Sequence, residues 1–406
     1  MTRSAGNLIS TLCPVCHYTL AVPFLNGGEQ PLATLGWPRS AEEAQGMVRY
    51  PLNYVQCPRC THVWNRSFVY EAIPYTHNPN RMFNKGSTWQ GHLKATRDIA
   101  VSLLPANPTV IDIGCGDGHF IHGIAEVLNG AGRFMGFDPS ATMESRVGVE
   151  FHSYYFDPIQ HISKFEPDLL VMRHVLEHLT DPAAFVDQLA WGASQLDKTV
   201  LFFAEMPCID KVFTTHRLVD FFYEHPSQYT TQSFQTLMKQ GGAVLNLNHG
   251  YGGEVVYALI QLGIPQVYQT RIGESLSFYE QALSSRKKIQ SQLRDLISSG
   301  KNVAIWGGTG KAASFIHHFK ANAKDFPLVV DSDIDKVGTF VPGTGQLIQN
   351  RDVLKTVKVD VVVIPAQWRA KDIVAEIDRE GIKVDQILIE HNGALIDYES
   401  AIHFYK

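Results

Sequence analysis

A chain of 406 residues with 45% hydrophobic, 11% aromatic and 18% charged side chains holds material for two to three folded cores, which excludes a disordered or fibrous chain. A net charge of -5 with no block of Lys and Arg argues against a surface that coats nucleic acid. Residues 1–6 carry no apolar signal core and no later run approaches the about 18 apolar residues of a membrane span, so we expect a cytoplasmic protein with a small-molecule ligand and no membrane or protein partner.

Four of the six cysteines fall in two doublets, Cys13-Pro14-Val15-Cys16 and Cys57-Pro58-Arg59-Cys60. In a reducing compartment two such pairs supply four thiolates that close a tetrahedral Zn2+ site with no open position, the requirement of a structural metal. A single pair would be ambiguous between metal and redox chemistry. His17 and His62 stand beside the doublets as bystanders. The residues between the knuckles, with Gly27, Gly28, Pro31 and Pro38, read as an insertion with its own loops rather than a helix. A metal-dependent module over residues 1–75 is expected.

A helical stretch is predicted from about residue 91 to 104. The apolar strand Thr109-Val110-Ile111-Asp112-Ile113 then runs into Gly114-Cys115-Gly116-Asp117-Gly118, with a helical pattern over 119–128. Alternating glycines let a backbone approach a ligand, and the helix N-terminus offers free N–H groups. The spacing lacks the third glycine of a pyrophosphate fingerprint, and Asp112 at the strand end suits a cationic amino-acid moiety. A second strand over 132–138 ends in Asp138, placed to grip a ribose diol, and Phe156-Asp157 follows a third strand and could face an adenine. The fourth strand begins near Pro167 and passes through His174-Val175-Leu176-Glu177-His178 into a helix.

This succession resembles the class I S-adenosylmethionine (SAM)-dependent methyltransferases over about residues 105–210. The resemblance implies SAM as cofactor, held by Asp112, Gly114, Gly116, Gly118, Asp138, Phe156 and Asp157. A doubly wound domain with an unrelated nucleotide is the competing reading.

Beyond a charged, solvated helical stretch over 275–299, a new strand reaches Trp306-Gly307-Gly308-Thr309-Gly310-Lys311-Ala312-Ala313, and Val330-Asp331 ends the next strand. Alone this Gly-x-Gly-x-x-Ala pattern is a plausible dinucleotide site, which keeps a zinc-containing NAD(P)-binding redox protein open. Short strands at 359–364 and 386–389 complete an α/β pattern.

The four-cysteine module, methyltransferase domain and Rossmann-like third domain together resemble the C-methyltransferases that act on nucleotide-linked 4-keto deoxysugars. The match includes Glu224-His225-Pro226-Ser227-Gln228-Tyr229 for the family's Glu-His-x-x-Tyr, Lys336-Val337-Gly338 and Pro342-Gly343-Thr344. It implies an α/β enzyme of three domains, 1–75, 76–270 and 271–406. By the same resemblance His225 is the base or enolate partner, Glu224 orients it, and Tyr75 and His178 border the reacting centre. Gly307, Gly308, Thr309, Lys311 and Asp331 would bind the substrate nucleotide. His178 could equally be a packed helix start, and Glu224-His225 a buried structural pair. Where the family tends to Gly-Gly-Ser-Leu-Arg, this chain has Gly252-Gly253-Glu254-Val255-Val256, so a different acceptor with O- or N-methylation is the alternative. His77, His119, His174 and His249 read as ordinary polar positions.

Overall fold

The computed structural model describes residues 8–75, 84–140 and 148–406. It divides into two compact units, Met1–Gln266 and Val267–Lys406. The expected module 1–75 lies within the first unit together with the residues that follow it; His77 lies outside the described residues.

The first unit opens with β1 (Ile9–Ser10), β2 (Leu20–Gln30), α1 (Ala41–Gln45), β3 (Tyr50–Gln56) and β4 (Val63–Asn65). The segment between the cysteine doublets therefore holds a long antiparallel pair, β2 with β3, in addition to the expected loops and the short α1. Two register shifts, at Pro23/Leu25 and Asn26/Glu29, absorb Gly27 and Gly28 as irregularities inside the ladder. The pattern hid these strands because β2 alternates only in part and is interrupted by Pro23 and the two glycines.

Next come α2 (Ser87–Val101), β5 (Thr109–Ile113), α3 (His119–Val127), β6 (Arg133–Phe137), β7 (Glu150–His152), α4 (Pro158–Phe165), β8 (Leu169–Arg173), α5 (Pro182–Ser194) and β9 (Leu201–Pro207). They are followed by α6 (Val212–Thr215), β10 (Ser227–Gln228), α7 (Thr231–Gly241), β11 (Gly242–Gly250) and β12 (Val255–Leu262). A seven-stranded sheet runs β11-β12-β9-β8-β5-β6-β7, parallel from β9 to β7 and antiparallel at both β12 junctions. Alternate residues of the central strands feed two cores. Ile111, Met135, Leu170 and Phe202 pack on the face of α4, α5 and α7, while Val110, Phe134, Leu169 and Phe203 pack on that of α2 and α3.

Local chemistry sets the helix starts. Asp157 caps α4 and Asp181 caps α5, each with proline in the first turn, and Thr230 with Ser233 forms a capping box on α7. The expected passage of the fourth strand straight into a helix is delayed, since Leu176–His178 is a 3-10 turn and α5 starts only at Pro182.

The N-terminal sheet does not close within the module. Its order is β1-β2-β3-β4-β10, so Ser227–Gln228 supplies the fifth strand. A continuous apolar cluster joins Cys13, Val15 and Trp64 to Ile111, Phe202 and Tyr229.

The second unit carries α8 (Gln266–Ser298, which starts one residue before it), β13 (Val303–Trp306), α9 (Lys311–Phe319), β14 (Leu328–Asp331), β15 (Ile348–Asn350), β16 (Val361–Ile364), α10 (Ala370–Arg379), β17 (Gln386–His391) and β18 (Ala394–Asp397). Its sheet order, β15-β14-β13-β16-β17-β18, is parallel except at the last pair, a Rossmann-like winding. Only Ile289 and Leu293 of α8 are buried, in keeping with a solvated helix.

Candidate active site

A cavity of about 440 Å3 opens at the carboxyl ends of β5 and β8, where ligands bind in doubly wound sheets. Asp112, Gly114 and Gly116 line it from the glycine loop, and Glu177, His178, Phe222 and His225 line it from the two segments that the sequence marked as chemical. Gly114, Gly116 and Gly118 all take positive φ. At Gly114 a Cβ would stand 2.3 Å from Val175, so only glycine allows the two loops this approach.

Of the expected cofactor residues, Asp112, Gly114 and Gly116 meet in this cavity. Gly118 precedes α3, and the Asp138 carboxylate accepts the Gly116 N–H at 2.9 Å. Phe156 is buried against Phe137, and Asp157 accepts the Gln160 N–H as the cap of α4. Neither is among the residues lining the cavity. Burial pushes the pKa of Asp112 up to about 7, opposed by nearby Arg173 and reinforced by Asp138 and Asp117.

Tyr75, His178, Glu224 and His225 come together. His178 Nδ1 lies 2.6 Å from the Glu224 carbonyl, so Nδ1 carries a proton and donates it there. The Tyr75 hydroxyl is 3.2 Å from His178 Nδ1 and donates to the same carbonyl at 3.3 Å. Burial pushes the Tyr75 phenol up, which keeps it protonated. The His178 and His225 rings sit edge to face with centroids 4.8 Å apart, and Phe222 lies 4.2 Å from His225 on another side. Burial, then the neighbouring His178, pulls the His225 pKa down to about 3, leaving a neutral imidazole at pH 7.

Glu224 does something other than expected. Its carboxylate does not orient His225 but accepts the backbone N–H groups of Ala33, Thr34 and Leu35 at 3.1, 2.7 and 3.0 Å, and the Thr34 hydroxyl at 3.2 Å. The fully buried acid thereby clamps the inter-knuckle segment beside the cavity, which Thr34 lines.

The cavity wall includes part of a charged network that pattern reading missed. Fully buried Glu205 in β9 receives Arg173 at 2.5 and 3.1 Å and His92 at 2.7 Å, with His174 Nε2 at 3.2 Å. Burial opposes the charge of Glu205, but Arg173, His174 and His92 hold its carboxyl well below the usual range. An acid inside the apolar run Leu201–Pro207 was the available signal. His174, with φ of 55°, and His119 also line the cavity rather than a featureless surface, whereas His249 bonds Thr231.

In the second unit, Gly307 has φ of 103° and its N–H reaches the Val330 carbonyl, Gly308 packs against Ile348, and Thr309 and Gly310 lead into α9. Lys311 lies 3.7 Å over the Trp368 ring, and buried Asp331 faces Lys336 at 3.8 Å. The Glu254 that departs from the family pattern pairs with Arg217 at 2.7 Å.

The four knuckle cysteines converge. Cys13 and Cys60 sulfurs are 3.6 Å apart and those of Cys16 and Cys57 3.5 Å, and all four lie within 4.8 Å. Thiolates about 2.3 Å from a tetrahedral zinc stand about 3.8 Å from one another, so the set matches such an ion. Each knuckle ends in a left-handed residue, His17 or Thr61, whose N–H returns to the first cysteine's carbonyl.

Residues 90–245 match the methyltransferase domain family, and residues 269–389 match the C-methyltransferase C-terminal domain family. The chain is 23% identical over 363 residues to C-methyltransferase NovU of Streptomyces niveus, covering 82% of this chain and 84% of that protein. Among solved structures, the plantazolicin methyltransferase BpumL aligns at TM-score 0.33 and 14% identity over 44% of this chain and 85% of its own. N-methyltransferase NodS from Bradyrhizobium japonicum aligns at 0.32 and 13%, over 45% and 99%. With its class I α/β fold and the matched domain, the protein is a SAM-dependent methyltransferase. Its second matched domain and its kinship with NovU place it among the SAM-dependent C-methyltransferases.

Proposed function

We propose that the protein methylates a carbon beside the ketone of a nucleotide-linked 4-keto deoxysugar. One observation carries this reading: a single cavity holds both the Asp112–Gly116 loop and a neutral His225 with His178 and Tyr75 beside it. Asp112 would receive the cationic amino-acid part of SAM, and Asp138, already fixed on the Gly116 N–H, would lie next to the sugar hydroxyls. SAM supplies an electrophilic methyl, leaving as S-adenosylhomocysteine (SAH) once the carbon has taken it.

The chain's own groups make that carbon nucleophilic. His225 removes the proton next to the ketone, and the electron pair passes into an enolate whose oxygen needs a donor. Tyr75, kept protonated by burial, is that donor once its O–H turns from the Glu224 carbonyl, to which it donates in the resting site beside His178, to the enolate oxygen. Gly307, Gly308, Thr309, Lys311 and Asp331 of the second unit are proposed to bind the nucleotide. A structural zinc on Cys13, Cys16, Cys57 and Cys60 secures the N-terminal sheet.

Mass spectrometry of nucleotide-linked 4-keto-6-deoxysugars in heavy water tests this directly. Deuterium uptake beside the ketone without SAM, a gain of one methyl with it, and loss of both in His225→Ala at unchanged SAH affinity are expected. Methyl transfer to oxygen or nitrogen, or full exchange in His225→Ala, would overturn it.

A further inference from the structure

We propose that Glu177 is the carboxylate that positions and charge-balances His225, the task the family resemblance implied for Glu224. The inference rests on His225 acting as the base. Glu224 is unavailable because its carboxylate is spent on three backbone N–H groups and the Thr34 hydroxyl. Glu177 is 2% exposed, lines the cavity, and has no hydrogen-bond partner on either carboxylate oxygen among the described residues. A buried carboxylate without such partners is costly and calls for a reason.

Its surroundings supply one. Single ligand-type atoms of Glu177, His178 and His225 lie within 4.8 Å of one another, in the same 3-10 turn and loop that face the reacting space. His174 Nδ1 stands 3.6 Å from Glu177 on the other side. Against the push of burial, His174 and then the fields of His178 and His225 hold the Glu177 carboxyl below its ordinary range, so it is ionised at neutral pH.

When His225 takes a proton from carbon, a cation forms in surroundings whose burial already disfavours it. The groups acting on that cation are Glu177, which favours it, and His178 and His174, which oppose it. With the proton on His225, the Glu177 carboxylate becomes its ion-pair partner, and the charge released on the substrate enolate is balanced within the site. Glu177 is thus a positioning residue, acting through His225.

The test separates charge from shape in the full-length, SAH-bound protein. Glu177→Gln keeps the shape and removes the charge; Glu177→Asp keeps the charge and shortens the arm. Nuclear magnetic resonance of the His225 ring, assigned by its loss in His225→Ala, is followed from pH 9 down to the onset of acid unfolding. Glu177→Gln is expected to delay the onset of His225 protonation to lower pH, with Glu177→Asp lying closer to wild type. Proton exchange and kcat on a dTDP-linked 4-keto-6-deoxyhexose should fall roughly 10- to 100-fold in Glu177→Gln at unchanged SAH affinity. Superimposable His225 curves, or a Gln variant better than the Asp variant, would overturn the role of Glu177. Full turnover in His225→Ala, with the shifted curve intact, would instead overturn the reading of His225 as base.

Discussion

Asp112 carries the most direct pH consequence at the level of single residues. Its folded pKa of about 7 lies above the about 3.9 of an exposed aspartate, so between those values the unfolded chain has lost a proton that the folded one keeps. Stability without cofactor therefore declines through this group as pH rises from 4 to 7, and is flat above. A cationic ligand needs the ionised form. SAH affinity should fall about tenfold from pH 8 to pH 6, with proton release on binding at the lower pH, and Asp112→Asn should flatten the profile in titration calorimetry. That Asp112 lies at the cavity was legible from the strand and glycine loop it belongs to, and that His225 does was legible from the resemblance to Glu-His-x-x-Tyr alone. The contacts of Glu224 and the role proposed for Glu177 were not, since which of two nearby acids faces an imidazole depends on a 3-10 turn and on a backbone clamp from 190 residues away.

At the level of elements, the central strands were readable because strands buried on both faces leave continuous apolar runs. The hairpin of β2 with β3 was not, broken by Pro23, Gly27 and Gly28 and paired over bulges. That hairpin binds structure to chemistry. The loop after β2 gives three N–H groups to Glu224, whose carbonyl holds His178 and whose neighbour is His225. Stripping metal from the four cysteines should therefore depress kcat well before it weakens SAH binding, since the Asp112–Gly116 loop belongs to the other sheet. Chelation followed in parallel by turnover and by calorimetry checks this; equal losses in both would refute it.

At the scale of the whole molecule, the division after Gln266 leaves every cavity residue in the first unit. A fragment ending at residue 266 should bind SAH with full-length affinity yet fail to turn over a nucleotide-linked sugar, because the proposed nucleotide contacts are gone. Undiminished turnover by that fragment would remove the second unit from acceptor binding.

The borrowed strand β10 also sets an order on synthesis. Both cysteine pairs have left the ribosome long before Ser227–Gln228, yet β4 has no partner on its far side until that dipeptide arrives. The two cysteine knuckles can come together early, while the sheet beside them stays open-edged through more than 150 further residues of translation. Completion of this edge depends on contacts of long sequence separation, which form late and slowly. The nascent chain thus passes through an unfinished state in which the N-terminal sheet lacks its last strand, and assembly of Glu224 and His225 against the N-terminal segment waits for that strand.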